Sequence, residues 1–305
     1  MTIWATTNLT ILAILVSVAE YQNIHVVVKP ARKALGLSLL FTDVAITIVH
    51  HFVQISKRHL FEEIFFFTQK TKNTLYDYVV VFVAAAVYAI LLADPWDTNG
   101  LVLTRFFQSL GRNRLIFANT YHFLVSIIIF QFCSIVSRVS FRLKMTRFLL
   151  EQTEVAIHHH SKLTYLAKTA NRLWNFQLLL ICFHIFGYTV LLIYDTVRPL
   201  LDDPGKSIQD VLLIVVALIL IGIELFCLAN SCHQTMYNAG AFNKELFNLL
   251  EDHPSYCNDE QLNLYLNFNE TVNFTACGFF GLGYPTITAI TATAASYLVI
   301  LLQTF

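Results

Sequence analysis

Apolar residues in this chain run on continuously instead of recurring every second or every third to fourth position. A bilayer core about 30 Å thick is crossed by about 20 helical residues at 1.5 Å each, and stretches near that length occupy 9–28, 34–55, 78–93, 115–136, 174–194, 211–229 and 274–305. The first is interrupted by Glu20, Gln22, Asn23 and His25, polar groups that need partners or water inside a membrane. The pattern predicts an all-α polytopic membrane protein: one domain, residues 1–305, with seven transmembrane helices.

Composition agrees. The chain is 56% hydrophobic and 13% charged, whereas a soluble domain carries about 25% charged residues. Twenty Lys and Arg balance twenty Asp and Glu with no dominant basic block, which excludes a nucleic-acid binder. The six Cys sit mostly inside apolar runs, so a disulfide framework is not expected, and Cys227 and Cys232 read as reduced core residues. Residues 1–8 lack the basic region that precedes the apolar core of a cleavable signal.

Lys and Arg set the orientation. With the N-terminus cytosolic, twelve of them fall in inside loops and eight in outside loops, the largest cluster lying between the fourth and fifth spans. The acidic stretch around Asp202 and Asp203 then lies outside, and the C-terminus is extracellular. The sequons Asn269-Glu-Thr271 and Asn273-Phe-Thr275 face the cytosol on this topology and stay unglycosylated. Segments 137–173 and 233–270 are rich in helix formers, with Pro254 the one strong breaker. They predict cytosolic helical extensions of spans four to six. Outside loops are short, leaving no ectodomain for a protein ligand.

The last run is uneven. Gly278, Gly281, Gly283 and Pro285 cluster near its start and predict a split last helix, with 286–305 long enough to cross alone. Thr286, Ala289, Thr293, Ser296, Ile300 and Gln303 share one face, opposite Ile287, Ile290, Leu298 and Leu301. A small, polar stripe of this kind fits either close helix packing or the wall of a pore built from several copies, in which Ile300 forms an apolar ring.

The ending Ser296-Tyr297-Leu-Val-Ile-Leu-Leu-Gln303-Thr304-Phe305 resembles the TYhhhhhQF signature that closes insect gustatory receptors. Phe274-Thr-Ala-Cys-Gly-Phe-Phe280 and Leu166-Ala-Lys-Thr-Ala-Asn171-Arg-Leu-Trp-Asn-Phe176 are similar to the segments before that family's last helix and into its fifth span. The resemblance implies a plasma-membrane gustatory chemoreceptor subunit, related to insect odorant receptors. It implies a ligand-gated, non-selective cation channel acting as a homo- or hetero-tetramer among membrane lipids, with no cofactor, no metal and no G protein required. The last helix of each subunit lines the pore, and the cytosolic extensions form an anchor where subunits meet. By motif, Gln303 is the pore amide near the outer mouth, Ile300 belongs to the gate, and Thr293 and Ser296 line the wall. Tyr297 packs beside the gate, and Phe305 ends the motif. Thr304 stands where the motif has Phe, which implies a leakier gate unless Phe305 takes that role; Ser296 for Thr keeps the hydroxyl. Members of the family usually carry some tens of residues before the first span, and this sequence starts almost in the membrane.

The ligand pocket of that family lies in the outer half of each subunit. Depth alone selects Phe41, Asp43, Tyr88, Trp96, Asn119, Tyr121, His122, Tyr188 and Tyr194. Aromatic walls with a few donors suit a small, weakly polar organic tastant or a sugar lying against ring faces, and the lack of paired carboxylates favours bitter-type compounds over sugars. Interface aromatics also occur for purely structural reasons. Asp43 either meets a ligand donor or pairs with His122, and Glu224 in the sixth span carries the same ambiguity.

Other seven-span readings fit less well. The bare pair His50–His51 and the triple His158–His159–His160 lack the HxxxH or HxxHH spacing that brings two imidazoles to one metal, against a desaturase- or hydroxylase-type metalloenzyme. A secondary transporter would want symmetric broken helices and charged midplane pairs. A G-protein-coupled receptor would show Asp-Arg-Tyr and Asn-Pro-x-x-Tyr, which are absent.

Overall fold

A computed structural model describes residues 41–42, 45–50, 52–53, 55–69, 114–150, 152–202, 208–253, 260–268 and 271–304. The first and third expected spans lie outside these residues. The described elements are α1 (Arg58–Gln69), α2 (Arg114–Thr146), α3 (Thr153–Asp202), α4 (Ile208–Asp252), α5 (Glu260–Phe268), β1 (Thr275–Ala276), β2 (Phe280–Gly281) and α6 (Tyr284–Thr304). A short 3-10 turn, Arg147–Leu149, joins α2 to the segment before α3.

The long helices outrun any bilayer. At 1.5 Å per residue, the 33 residues of α2 reach about 50 Å, the 50 of α3 about 75 Å and the 45 of α4 about 68 Å. Among the described residues three segments are long and apolar enough to cross a membrane: Val125–Leu149, Thr153–Tyr194 and Val215–Asp252. Each of α3 and α4 is therefore long enough to span the hydrocarbon with a comparable length to spare.

Helices α2 and α4 make the largest packing interface, and it follows a single register. Ser126 pairs with Glu224, Cys133 with Ser231, Ser140 with Asn238, and Arg147 with Glu245. Both series advance by seven residues at a constant offset, so the two helices run parallel with one polar seam position per heptad. Thr235 reinforces the seam by donating to the Val136 carbonyl at 3.2 Å, and Ser137 meets Ser231 at 3.1 Å. Apolar residues fill the positions between, including Ile129, Val136, Leu143 and Leu228.

Two cores result. The larger joins α2, α3, α4 and the hairpin around Phe132, Trp174 and Phe274, all essentially fully buried. Phe132 lies 5.8 Å from the Trp174 ring and 6.1 Å, edge-on, from Phe274. The smaller core unites the projecting parts through Ala156 of α3, Phe242, Leu246 and Leu250 of α4, and Leu262 of α5.

The break in the last apolar run falls where its Gly and Pro residues predict, but the piece before it is an antiparallel hairpin and not a helical half. Thr275 pairs with Gly281 and Ala276 with Phe280. Cys277 (φ 52°) and Gly278 (φ 74°) are both left-handed, and the Phe279 N–H closes the turn on the Ala276 carbonyl at 3.0 Å. Glycine adopts this conformation at no steric cost; the turn chemistry overrides the helical reading. Helix α6 follows after Leu282 and Gly283, with Pro285 in its first turn, where a missing N–H costs nothing. Its 21 residues span about 32 Å.

Candidate functional site: the last helix and its root

Helix α6 presents two unlike faces. Ile287, Ile290 and Leu298 are half-buried, Ala294 is buried, and Ile287 and Ile290 pack on the main core. The opposite stripe of Ala289, Thr293, Ser296 and Ile300 is exposed, turned away from α3 and α4. Its hydroxyls are satisfied locally, Thr293 donating to the Ala289 carbonyl at 2.7 Å and Ser296 to that of Ala292 at 3.0 Å. Each oxygen therefore keeps lone pairs for water or another polar group on the exposed side. Ile300, 54% exposed, is the large apolar residue in the stripe. Tyr297 sets its ring edge-on to Phe186 of α3 at 5.5 Å, joining the C-terminal half of α6 to its neighbour.

The root of α6 is held by polar contacts from two helices. Asn171 and Asn175 of α3 accept from the backbone N–H groups of Thr275 and Cys277. Tyr284 donates to Asn230 of α4 at 2.8 Å, and its ring lies 4.8 Å from that of His233. Thr286 folds back on the hairpin, accepting from the Gly283 N–H and donating to the Gly281 carbonyl at 2.6 Å.

Of the pocket residues selected by depth, Tyr188 and Tyr194 are described, both buried on α3, with Tyr188 stacked on His184 at 5.6 Å. Phe41 is exposed. Asp43, Tyr88, Trp96 and Phe305 lie outside the described residues, as do the side chains of Asn119, Tyr121 and His122 on α2 and of Gln303 and Thr304 at the end of α6. Glu224 is buried in the α2–α4 seam, accepting from Ser126.

The histidine triple divides by helix geometry, since adjacent residues point about 100° apart. His158 and His159 are exposed and His160 is buried. The His160 ring stacks on Phe242 at 4.1 Å, its Nε2 lies 3.2 Å from the Ala239 carbonyl, and its Nδ1 lies 2.6 Å from the Tyr265 hydroxyl. A carbonyl only accepts, so Nε2 carries the proton and Nδ1 accepts from the Tyr265 hydroxyl, which also lies 3.1 Å from the Asn243 Oδ1 acceptor. That bond docks α5 onto the projecting parts of α3 and α4. Among the described residues no three His, Cys, Asp or Glu side chains are grouped to hold a metal ion, and Cys133, Cys182, Cys227, Cys232 and Cys277 are free thiols.

The heptad seam and the asparagine grip are what sequence reasoning passes over. Both leave a signal: Ser126, Ser140, Glu224, Ser231 and Asn238 recur at multiples of seven, and Asn171 and Asn175 stand one turn apart. Neither signal names a partner.

A family profile described as 7tm chemosensory receptor matches residues 37–304. The fold is similar to that of the insect olfactory receptor OR5 from Machilis hrabei, with a TM-score of 0.62, 11% identity, and coverage of 97% of this chain and 88% of that one. Against OR5 in complex with eugenol the TM-score is 0.66 at 14% identity, with the same coverage. No curated protein matches the sequence. The seven-helix membrane fold expected from the apolar runs is that of these receptors, and the chain belongs to the 7tm chemosensory receptor family, a family of receptors and not of enzymes.

Proposed function

We propose that this chemosensory receptor is a gustatory-type subunit of the plasma membrane: a ligand-gated, non-selective cation channel assembled as a homo- or hetero-tetramer, working without a G protein. The observation that carries the reading is the direction of the α6 stripe. Thr293, Ser296 and Ile300 are turned away from the subunit's own core while Ile287, Ile290 and Ala294 face it. A hydroxyl-bearing face has little to gain from lipid, and around a central axis several copies would give a wet wall with an Ile300 ring that closes by dewetting. On this reading 286–305 is the pore helix, Gln303 and Thr304 border the outer mouth, and Tyr297 and Phe305 support the gate. The projecting parts, 137–173 and 233–270, with their own core around Phe242, form a cytosolic anchor.

The ligand is a small, weakly polar organic molecule, bitter-type in preference to sugar, held in the outer half. OR5 in its complex with eugenol supports a ligand of this class. The pocket would draw on Asp43, Tyr88, Trp96, Asn119, Tyr121, His122, Tyr188 and Tyr194. Expression in cells without related receptors, with calcium imaging against bitter compounds, sugars and carbon dioxide, tests the reading. Calcium entry evoked by a bitter compound is the expected result. Calcium signals abolished by blocking G-protein signalling would overturn it.

A further inference from the structure

We propose that Asn171 and Asn175 of α3, together with Asn230 of α4, are positioning residues for the root of α6, and that through them a displacement of α3 against α4 is transmitted to the last helix. The proposal rests on reading α6 as the pore wall.

The hairpin is bound along both edges of β1. Its inner edge belongs to β2: the Leu282 N–H donates to the Phe274 carbonyl at 2.8 Å and the Phe279 N–H to that of Ala276. The N–H groups of Thr275 and Cys277 therefore point the other way, along an edge that no further strand covers among the described residues. An edge of this kind needs acceptors, and α3 supplies two. Two residues along a strand advance about 6.6 Å and four along a helix about 6 Å. Asn171 and Asn175 thus meet alternate N–H groups of β1 and the turn that follows it in step, so the helix reads this edge in a single register. Between the two, the fully buried Trp174 lies 5.8 Å from Phe132, against which Phe274 closes.

The link onward is short. Only Leu282 and Gly283, both buried, separate β2 from α6, and Thr286 bonds across them to the Gly281 carbonyl and the Gly283 N–H. A hairpin joined to a helix in this way cannot shift without carrying the helix. Tyr284, in the first turn of α6, is tied to Asn230 of α4. The root of α6 is thus attached to α3 through backbone N–H groups and to α4 through the side chain of Tyr284, and relative motion of those two helices acts on it as a couple.

A native thiol allows a direct test. Cys277 is a free, partly exposed thiol, and its backbone N–H is bonded by Asn175, so an Asn175→Cys variant brings a second thiol to the same turn, and cross-linking measures whether the two meet. The full-length receptor is expressed in cells without related receptors. Whole-cell currents are recorded at rest and over concentration series of quinine and eugenol, scaled to surface receptor, and cross-linking is read by peptide mass spectrometry. Asn171→Ala and reduced Asn175→Cys are expected to shift the half-activating concentration about tenfold, the scale of one to two lost hydrogen bonds. Asn171→Asp, which keeps the acceptor, restores it to within about twofold. Oxidation of Asn175→Cys restores gating, because the covalent link replaces the lost grip and the hairpin travels with α3.

Asn171→Ala and reduced Asn175→Cys that gate like wild type per surface receptor overturn the relay and leave the pore reading standing. So does an oxidised variant locked shut, since it would mean that the hairpin must slide on α3. A wild type that carries no current at rest or with either probe overturns the pore reading and the relay with it.

Discussion

The Ser126 hydroxyl of α2 donates to the Glu224 carboxyl group of α4 at 2.5 Å, and three heptads further along both helices the Arg147 guanidinium meets the Glu245 carboxylate. Between them Cys133 lies against Ser231, and Ser140 against Asn238. Polar groups repeated at one seam position penalise every other register, because a slip would leave the buried Glu224 carboxyl against apolar side chains.

Removing one partner of such a pair should cost more than removing both. Ser126→Ala is expected to destabilise the receptor by about 1–3 kcal/mol, since it takes a hydrogen bond from a buried carboxyl group. The double variant Ser126→Ala/Glu224→Leu should recover most of that loss. Thermal melts in detergent measure both, and a single variant that melts like wild type would show that this bond contributes nothing.

The Arg147–Glu245 pair lies beyond the apolar run that ends at 136 and is about one-third exposed on each side, so its contribution is small, at most about 1 kcal/mol, and weakened by salt. The hydrogen bond from Arg147 holds the Glu245 carboxyl below its ordinary value of 4.5. A depressed carboxylate contributes stability above its unfolded value and loses it as pH falls through the folded one. Melts should show a loss below about pH 4.5 that Glu245→Gln abolishes, and exchanging the two residues should restore the wild-type melt at neutral pH.

Burial against Phe242 lowers His160 from 6.5 to about 4, keeping it neutral and able to accept from Tyr265. The undocked state binds the proton more readily, so docking of α5 is fully stable above pH 6.5 and weakens as pH falls towards 4. Hydrogen–deuterium exchange of residues 260–268 should accelerate over that window. Tyr265→Phe should accelerate it at neutral pH, by about fivefold for a lost bond of about 1 kcal/mol.

On the pore reading, Ile300→Ala widens an apolar constriction and is expected to raise the current without ligand severalfold, whereas Thr304→Phe restores the bulk that the family motif carries there and lowers it. Gln303→Ala should alter relative permeability among monovalent cations with little change in surface expression. Patch-clamp recordings give all three quantities. If Ile300→Ala and Gln303→Ala change neither permeation nor gating, α6 does not line the pore.

Much of the architecture is legible in the sequence because membrane insertion is read from local runs of residues. The apolar stretches, the helix-forming segments 137–173 and 233–270, and the break at Gly278–Pro285 each follow from neighbouring side chains. The hairpin escapes this reading, since Thr275, Ala276 and Phe280 have no strong strand pattern. What makes two-residue strands worth forming is a set of acceptors about a hundred positions earlier, on Asn171 and Asn175. The histidine triple is similar: its spacing argues against a metal, but only the packed structure reveals His160 as a buried bond to Tyr265 while its neighbours face outward.

The sequence by itself determined that this is a membrane protein of seven apolar spans whose last helix carries a polar stripe, because hydropathy and helical period are properties of a single segment. The tertiary structure decided where that stripe points, which heptads of α2 and α4 meet, and what holds the root of α6. Those depend on which faces of distant segments bury one another, and a one-dimensional pattern names a face without naming its partner.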